Sequence, residues 1–294
     1  MTVRAPKEVA LVVRERLLKR SRQTGEDFQF LLQHYAAERF LYRLGCSPHR
    51  ERFVLKGAML FALWGGSFYR PTRDLDFTGY GEIATGAILD AMRDICTLVV
   101  EDDGVVFRED TLKAGPIRDE AEYGGIRVVF QAGIGTARIR MQVDIGFGDA
   151  IEPRAALADY PTLLDLPVPH IRVYPYEAVV AEKLHAMVTL GEINSRHKDF
   201  YDLYVMVSRL PFDGGRLSRA VAATFERRRT PITKDVPVAL TARFYADAGR
   251  GEQWRAYLSR NGLAGVPTDL VAVGEKIMDF LRPAWAALGG NTER

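Results

Sequence analysis

Cysteine is scarce: Cys46 and Cys96 are the only two in 294 residues. Two thiols in no metal-ligand spacing exclude a disulfide framework and a cysteine-held zinc, and read as buried thiols in a reducing compartment. No charge of one sign dominates either, since 40 Lys and Arg stand against 38 Asp and Glu, a net of +2. A whole-molecule field that gathers nucleic acid is therefore excluded, and any polyanion must meet a local patch. Long hydrophobic runs are missing. No apolar stretch reaches spanning length, and Met1 to Arg20 is broken by charge every few residues, so the chain reads as cytoplasmic, with no signal peptide and no membrane anchor. The histidines (His34, His49, His170, His185 and His197) share no ligand spacing, and no Gly-Lys-Ser/Thr follows Gly65-Gly66-Ser67, which removes zinc and P-loop readings. Internal repeats and low-complexity tracts are absent as well.

What is present is a succession of periodic segments. Helical spacing runs from Pro6 to Arg20 and again from Phe28 to about Gly45. Phe53-Val54-Leu55 reads as a buried strand, and Lys56-Gly57 passes into an apolar helix from Ala58 to Trp64. Further strands are expected around Asp74 to Phe77, Val105 to Phe107, Ile126 to Gln131 and Ala137 to Phe147, with a helix from Ala84 to Leu98 and a turn at Gly133 to Gly135. Pro161, Pro167, Pro169 and Pro175 mark a break. It predicts a mixed α/β domain over 1–170 and a helical domain over 171–294. Helices in the second are expected at 176–190, 197–209, 214–228, 235–248, 251–261 and 267–285.

The chemistry concentrates in Arg70-Pro-Thr-Arg-Asp-Leu-Asp-Phe. On a strand Asp74 and Asp76 point to one face while Leu75 and Phe77 point to the core. Two partly desolvated carboxylates repel, and a cation makes the pair favourable. Magnesium suits it, because it takes one or two carboxylates together with water and phosphate oxygens; manganese takes the same donors. Asp144, between Val143 and Ile145, is a third acid in an apolar strand. If the two strands are neighbours, Asp74, Asp76 and Asp144 hold two metals about 3.5–4 Å apart. Otherwise Asp74 and Asp76 are solvent-face acids of an edge strand. Upstream, Lys56, Gly57 and Ala58 form a small-residue turn that lets backbone NH groups approach phosphate. Arg70 and Arg73 flank the acids and serve either as phosphate clamps or as their structural partners.

Together these segments resemble the AbiEii nucleotidyltransferase toxins, including the MenT-type enzymes, of the DNA polymerase β-like superfamily. Phe53-Val-Leu-Lys-Gly-Ala-Met-Leu resembles the family's Lys-Gly-Gly strand–turn–helix, with Ala58 in place of the commoner second glycine. The Arg70–Phe77 segment resembles its Arg-x-Thr-x-Asp-h-Asp-h metal strand, where h is apolar. Glu177-Ala-Val-Val-Ala-Glu-Lys-Leu-His-Ala is similar to its Glu-Lys-Leu helix, and Ser195-Arg-His-Lys-Asp-Phe-Tyr-Asp-Leu-Tyr to its Arg-x-x-(Arg/Lys)-Asp-x-x-Asp-Leu segment. The resemblance implies a polymerase β-like nucleotidyltransferase domain followed by a helical C-terminal domain. It also implies a cytoplasmic toxin, an antitoxin from a neighbouring gene, NTP as substrate, and a tRNA 3′ end as the acceptor whose modification blocks translation.

In the second half, Lys183 shares a helical face with Val180, Leu184 and Met187, where an ammonium wants an anion. It either reaches the triphosphate across a domain cleft or snorkels over apolar surface. Asp199 and Asp202 lie on one face, and either could orient Lys183 or the nucleotide; Asp199 could equally cap its helix, so Asp202 is the preferred catalytic candidate. Arg216, Arg219 and the Arg227-Arg228-Arg229 run form either an RNA-tracking patch or a solvated face. The resulting expectation is a nucleotidyltransferase releasing pyrophosphate, with Asp74, Asp76, Asp144, Lys183 and Asp202 catalytic and Lys56, Gly57, Ala58, Arg70, Arg73, Lys183 and Asp199 binding nucleotide. The rivals are nucleotidylation of a protein or small-molecule hydroxyl, and a non-catalytic NTP-binding module.

Overall fold

The computed structural model describes residues 6–65, 70, 72–117 and 124–289. The chain divides into two compact units, the first from Met1–Gly66, Pro71–Gly148 and Ala156–Val173, the second from Ser67–Arg70, Asp149–Ala155 and Tyr174–Arg294.

The first unit opens with helices α1 (Pro6–Thr24) and α2 (Phe28–Cys46). Asp27 caps α2 by accepting from the Phe30 NH at 2.8 Å. Strand β1 (Phe53–Lys56), a 3₁₀ turn (Gly57–Leu60) and the short α3 (Phe61–Gly65) follow, then β2 (Asp74–Gly79), α4 (Thr85–Thr97), β3 (Val105–Pro116), β4 (Ile126–Ile134), β5 (Ala137–Phe147), β6 (Ala156–Asp159) and β7 (His170–Val173). The expected apolar helix Ala58–Trp64 is thus split, because Gly57 enters at φ +76° and the first turn closes as 3₁₀. Strand β3 runs nine residues beyond the expected Phe107, across a register shift between Arg108 and Lys113. The hairpin loop is Gly135-Thr136, slightly later than the expected turn, with Gly135 at φ +57°.

The sheet order is β3-β4-β5-β2-β1-β7-β6. Strand β2 pairs parallel with β5 and antiparallel with β1, so the sheet is mixed, as expected. Its strands alternate: Leu75, Phe77, Val128, Phe130, Met141, Val143 and Ile145 are buried, and the residues between them are open to varying degrees. Helix α2 packs on β5 and β7 through its apolar stripe, with Leu32, Tyr35, Ala36 and Phe40 buried. Phe40 meets Phe107 and Phe130 at ring centroids of 5.8 and 5.6 Å. Burial of each such side chain contributes about 1.5–3 kcal/mol. One buried ion pair, Arg43 on Asp103 at 2.7 and 3.1 Å, fixes α2 to the start of β3.

The second unit contains α5 (Tyr176–Leu190), α6 (His197–Arg209), α7 (Gly214–Arg227), a one-turn α8 (Ala242–Tyr245), α9 (Ala248–Arg260) and α10 (Leu270–Gly289). Helix α10 touches α6, α7, α8 and α9, and α5 packs on α6 and α7. The single helix expected over 235–248 does not form. Pro237 removes a backbone donor, a 3₁₀ turn (Val238–Leu240) and α8 take its place, and Asp247 caps a new helix by accepting from the Arg250 NH at 2.8 Å. The Arg282 guanidinium donates twice to the Leu240 carbonyl, at 2.8 and 3.0 Å, and anchors the connection.

Candidate active site

The acidic residues meet through strand register. Asp76 stands directly beside Asp144 in the parallel β2–β5 pair, and Asp74 beside Gln142. Paired residues share a face, so all three acids lie on the side of the sheet opposite α2. Antiparallel pairing extends the row: Lys56 is opposite Asp76, and Arg127 is opposite Asp144. One transverse line therefore reads Lys56, Asp76, Asp144, Arg127, with neighbours about 4.8 Å apart along the hydrogen-bonding direction.

Each member is held. Arg127 grips Asp144 with both arms, Nε to Oδ1 at 2.8 Å and Nη2 to Oδ2 at 2.7 Å, and the Gln142 amide adds a bond of 3.3 Å to Oδ2. Asp76 presses on the backbone at Gly57: a Cβ built there would lie 2.9 Å from both Cβ and Cγ of Asp76 and closer still to Oδ2. Gly57 is thus the residue that lets the carboxylate sit against the turn, a role distinct from the phosphate approach expected of it. Arg127 and Gln142 escaped the sequence reading. A signal existed, since a two-residue loop at Gly135-Thr136 fixes the hairpin register and places Arg127 opposite Asp144.

The donor set suits a hard divalent cation in class and placement, because it offers carboxylate oxygens from adjacent strands on one face and a glycine cradle under one of them. As the side chains stand, no group of three acidic, histidine or cysteine side chains among the described residues is gathered tightly enough to hold an ion. Both oxygens of Asp144 are taken by the Arg127 guanidinium. Metal and Arg127 would compete for the same carboxylate.

The second unit carries its own charge cluster. Lys183 Nζ donates to Asp199 Oδ1 at 2.7 Å and to Asp202 Oδ2 at 2.8 Å, with its side chain 13% exposed. Arg70 forks onto Asp202 at 2.8 and 3.0 Å, and Arg196 reaches Asp199 at 2.8 Å. Of the two roles open to Arg70, pairing is the one seen, and its partner is Asp202, not Asp74 or Asp76. The two open readings of Asp199 and Asp202 merge: both orient Lys183. Burial pulls the Lys183 ammonium down, and the two carboxylates push it further up, so its pKa ends above the usual lysine value. For Asp199 burial raises and Lys183 with Arg196 lowers, leaving it below the ordinary carboxylate range. Both groups stay charged. Arg73, by contrast, is exposed at the entry to β2.

Three of the five arginines of the basic patch expected on and just beyond α7 have acidic partners within their own unit. Arg216 pairs with Glu177 at 2.8 Å, Arg219 with Glu152 at 3.7 Å and Arg228 with Asp149 at 3.1 Å.

A mixed sheet with paired acids on its open face, followed by a helical unit, defines the class as a nucleotidyltransferase fold. The chain belongs to the AbiEii family: the model of the nucleotidyl transferase AbiEii toxin of type IV toxin–antitoxin systems matches residues 39–282. JHP933 from Helicobacter pylori shares the fold with a TM-score of 0.50 at 14% identity, over 90% of this chain and 96% of that one. A second H. pylori chain, described as a candidate nucleotidyltransferase, aligns with a TM-score of 0.49 at 12% identity over 92% of this chain and all 100% of its own. No curated protein matches the sequence. Among the described residues no helix is long and apolar enough to cross a membrane.

Proposed function

We propose that this chain transfers a nucleotidyl group from an NTP to a hydroxyl of an RNA acceptor, a tRNA 3′ end in the favoured case, and releases pyrophosphate. Acting in the cytoplasm, it would block translation until a cognate antitoxin restrains it. The observation that carries the reading is the register of β2 and β5, which sets Asp76 against Asp144 with Asp74 on the same face, in a chain of the AbiEii family. Asp74, Asp76 and Asp144 would hold magnesium or manganese. Such ions, when bound, lower the pKa of an attacking hydroxyl and neutralise a departing pyrophosphate.

The chain's own residues supply position and charge. Gly57 seats Asp76, Arg127 neutralises Asp144 when no ion is present, and Lys56 balances the row from its other end. Lys56, Arg73 and the Gly57-Ala58 turn are the triphosphate contacts in this reading, and Lys183 and Arg70 are anion-binding cations fixed by Asp199 and Asp202. Because phosphoryl-type transfer asks little covalent chemistry of a protein, such placement provides most of the acceleration. The test is incubation with labelled NTPs, magnesium and total tRNA. Label should reach RNA with the intact chain and not with Asp76→Ala; undiminished transfer by the variant would reject the site. Protein and small-molecule acceptors run in parallel separate the rival transfers, and NTP binding with no pyrophosphate release would mark a binding module.

A further inference from the structure

The acid-bearing face of the sheet does not end at Arg127. Along β5, Asp144, Gln142, Arg140 and Arg138 follow one another at two-residue steps on that face, and their partners on β4 are Arg127, Val129, Gln131 and Gly133. Lys113 of β3 pairs with Val129, and Arg108 with Gln131. Arg138, Arg140 and Lys113 are exposed, and none has an acidic partner among the described residues, whereas Arg108 is tied to Asp110 at 3.1 Å. This differs from the arginines of α7, most of which are paired.

We infer that the open face of β3, β4 and β5 is the track on which a single-stranded nucleic-acid acceptor lies, its phosphates meeting Arg138, Arg140 and Lys113. The inference rests on the nucleotidyl-transfer reading and names the surface and the polymer class it would use. Strand geometry makes β5 a ruler: Arg140 stands about 14 Å and Arg138 about 20 Å from Asp144 along the strand. A chain whose terminal hydroxyl lies over the acids would therefore place phosphates a few nucleotides back over these two arginines. Among the described residues this surface offers charge, the amides of Gln131 and Gln142 and no aromatic side chain, and its exposed or half-exposed apolar groups are Val106, Ile117 and Val129. A protein partner would need an apolar centre with aromatic anchors. A phosphate backbone needs cations alone, and reading it this way predicts binding that tolerates sequence and depends on salt.

The experiment measures anisotropy of a labelled single-stranded RNA oligonucleotide against salt, for the intact chain and for the triple variant Lys113→Gln/Arg138→Gln/Arg140→Gln. Three lost contacts at about 0.7 each should flatten the slope of log K against log salt by about 2. Manganese and NTP binding should stay unchanged, and in the transfer assay KM for RNA should rise with kcat preserved. Lys19→Gln/Arg22→Gln, exposed cations on α1, should leave the slope alone. An unchanged slope in the triple variant, or an equal loss in the α1 control, overturns the track. So does labelling of a protein acceptor by a chain that binds no RNA, an outcome that leaves nucleotidyl transfer itself standing. Asp76→Asn separates the two ideas further: it should abolish transfer and keep the slope.

Discussion

Replacing Gly57 with alanine should remove activity through a single methyl group. Two costs are built into the position. At φ +76° an L residue is strained by roughly 1–2 kcal/mol. The new Cβ would also lie 2.9 Å from Asp76 Cβ and Cγ, where carbon contacts settle at about 3.5–4 Å, so the carboxylate must retreat by about 0.5–1 Å. Misplacement on that scale costs about 100-fold in rate, or about 2.7 kcal/mol of barrier. Gly25 provides the control, because it has the same φ of +76° with nothing within 4 Å of its would-be Cβ. Gly25→Ala should carry the backbone strain alone. Thermal unfolding and single-turnover label transfer are measured for both variants. Similar losses of stability, with transfer falling about 100-fold only in Gly57→Ala, would bear the reasoning out. Wild-type transfer by Gly57→Ala would refute it, as would an equal fall in Gly25→Ala.

Three further outcomes follow from the same geometry. Lys183→Met strips the buried carboxylates of their shared partner, and with Arg70 and Arg196 still in place should cost about 3 kcal/mol, lowering Tm by ~10 °C; a change under about 2 °C would mean that the pairs carry no net stability. Arg127→Gln frees Asp144 from a competing cation whose side chain is 43% exposed, so the screened gain is under about 1 kcal/mol and manganese, followed by electron paramagnetic resonance, should bind about 3- to 5-fold more tightly. Weaker manganese binding by that variant would deny the competition. His34 is buried, and burial, with Arg20 adding to it, holds its pKa down at about 3. The folded state therefore keeps it neutral, its contribution is whole above pH 6.5, and stability falls by about 1.4 kcal/mol per pH unit as the pH drops from about 6.5 toward 3. Chemical denaturation across that window should show a shallower slope for His34→Gln.

Much of the architecture is legible from periodicity. Helices α4, α6, α7 and α10 carry clear helical stripes and strands β2 and β5 clear alternation, and they form close to where the pattern puts them. Strand β6 is mostly exposed, and four residues of open edge strand have no apolar alternation to detect, whereas β7 alternates at Ile171 and Val173 but spans only four residues beside the prolines. Apolar spacing runs across Pro237 and favours one helix over 235–248, but the proline outweighs it. The meeting of Asp76 with Asp144 depended on strand adjacency, which the pattern allows but does not dictate. Arg70 and Asp202 lie 132 residues apart, and no local signal links them. Their pairing comes only from the packing of the second unit.

The row Lys56, Asp76, Asp144, Arg127 also bears on how the sheet assembles. Strands β4 and β5 are joined by two residues and can zip early, whereas β2 and β5 are separated by an intervening helix and two strands and must find each other late. Contact order therefore favours Arg127 reaching Asp144 before Asp76 does. The local hairpin thus disarms the repulsion that the long-range parallel pairing would otherwise meet, and lets two acids become neighbours before any ion is there to reconcile them.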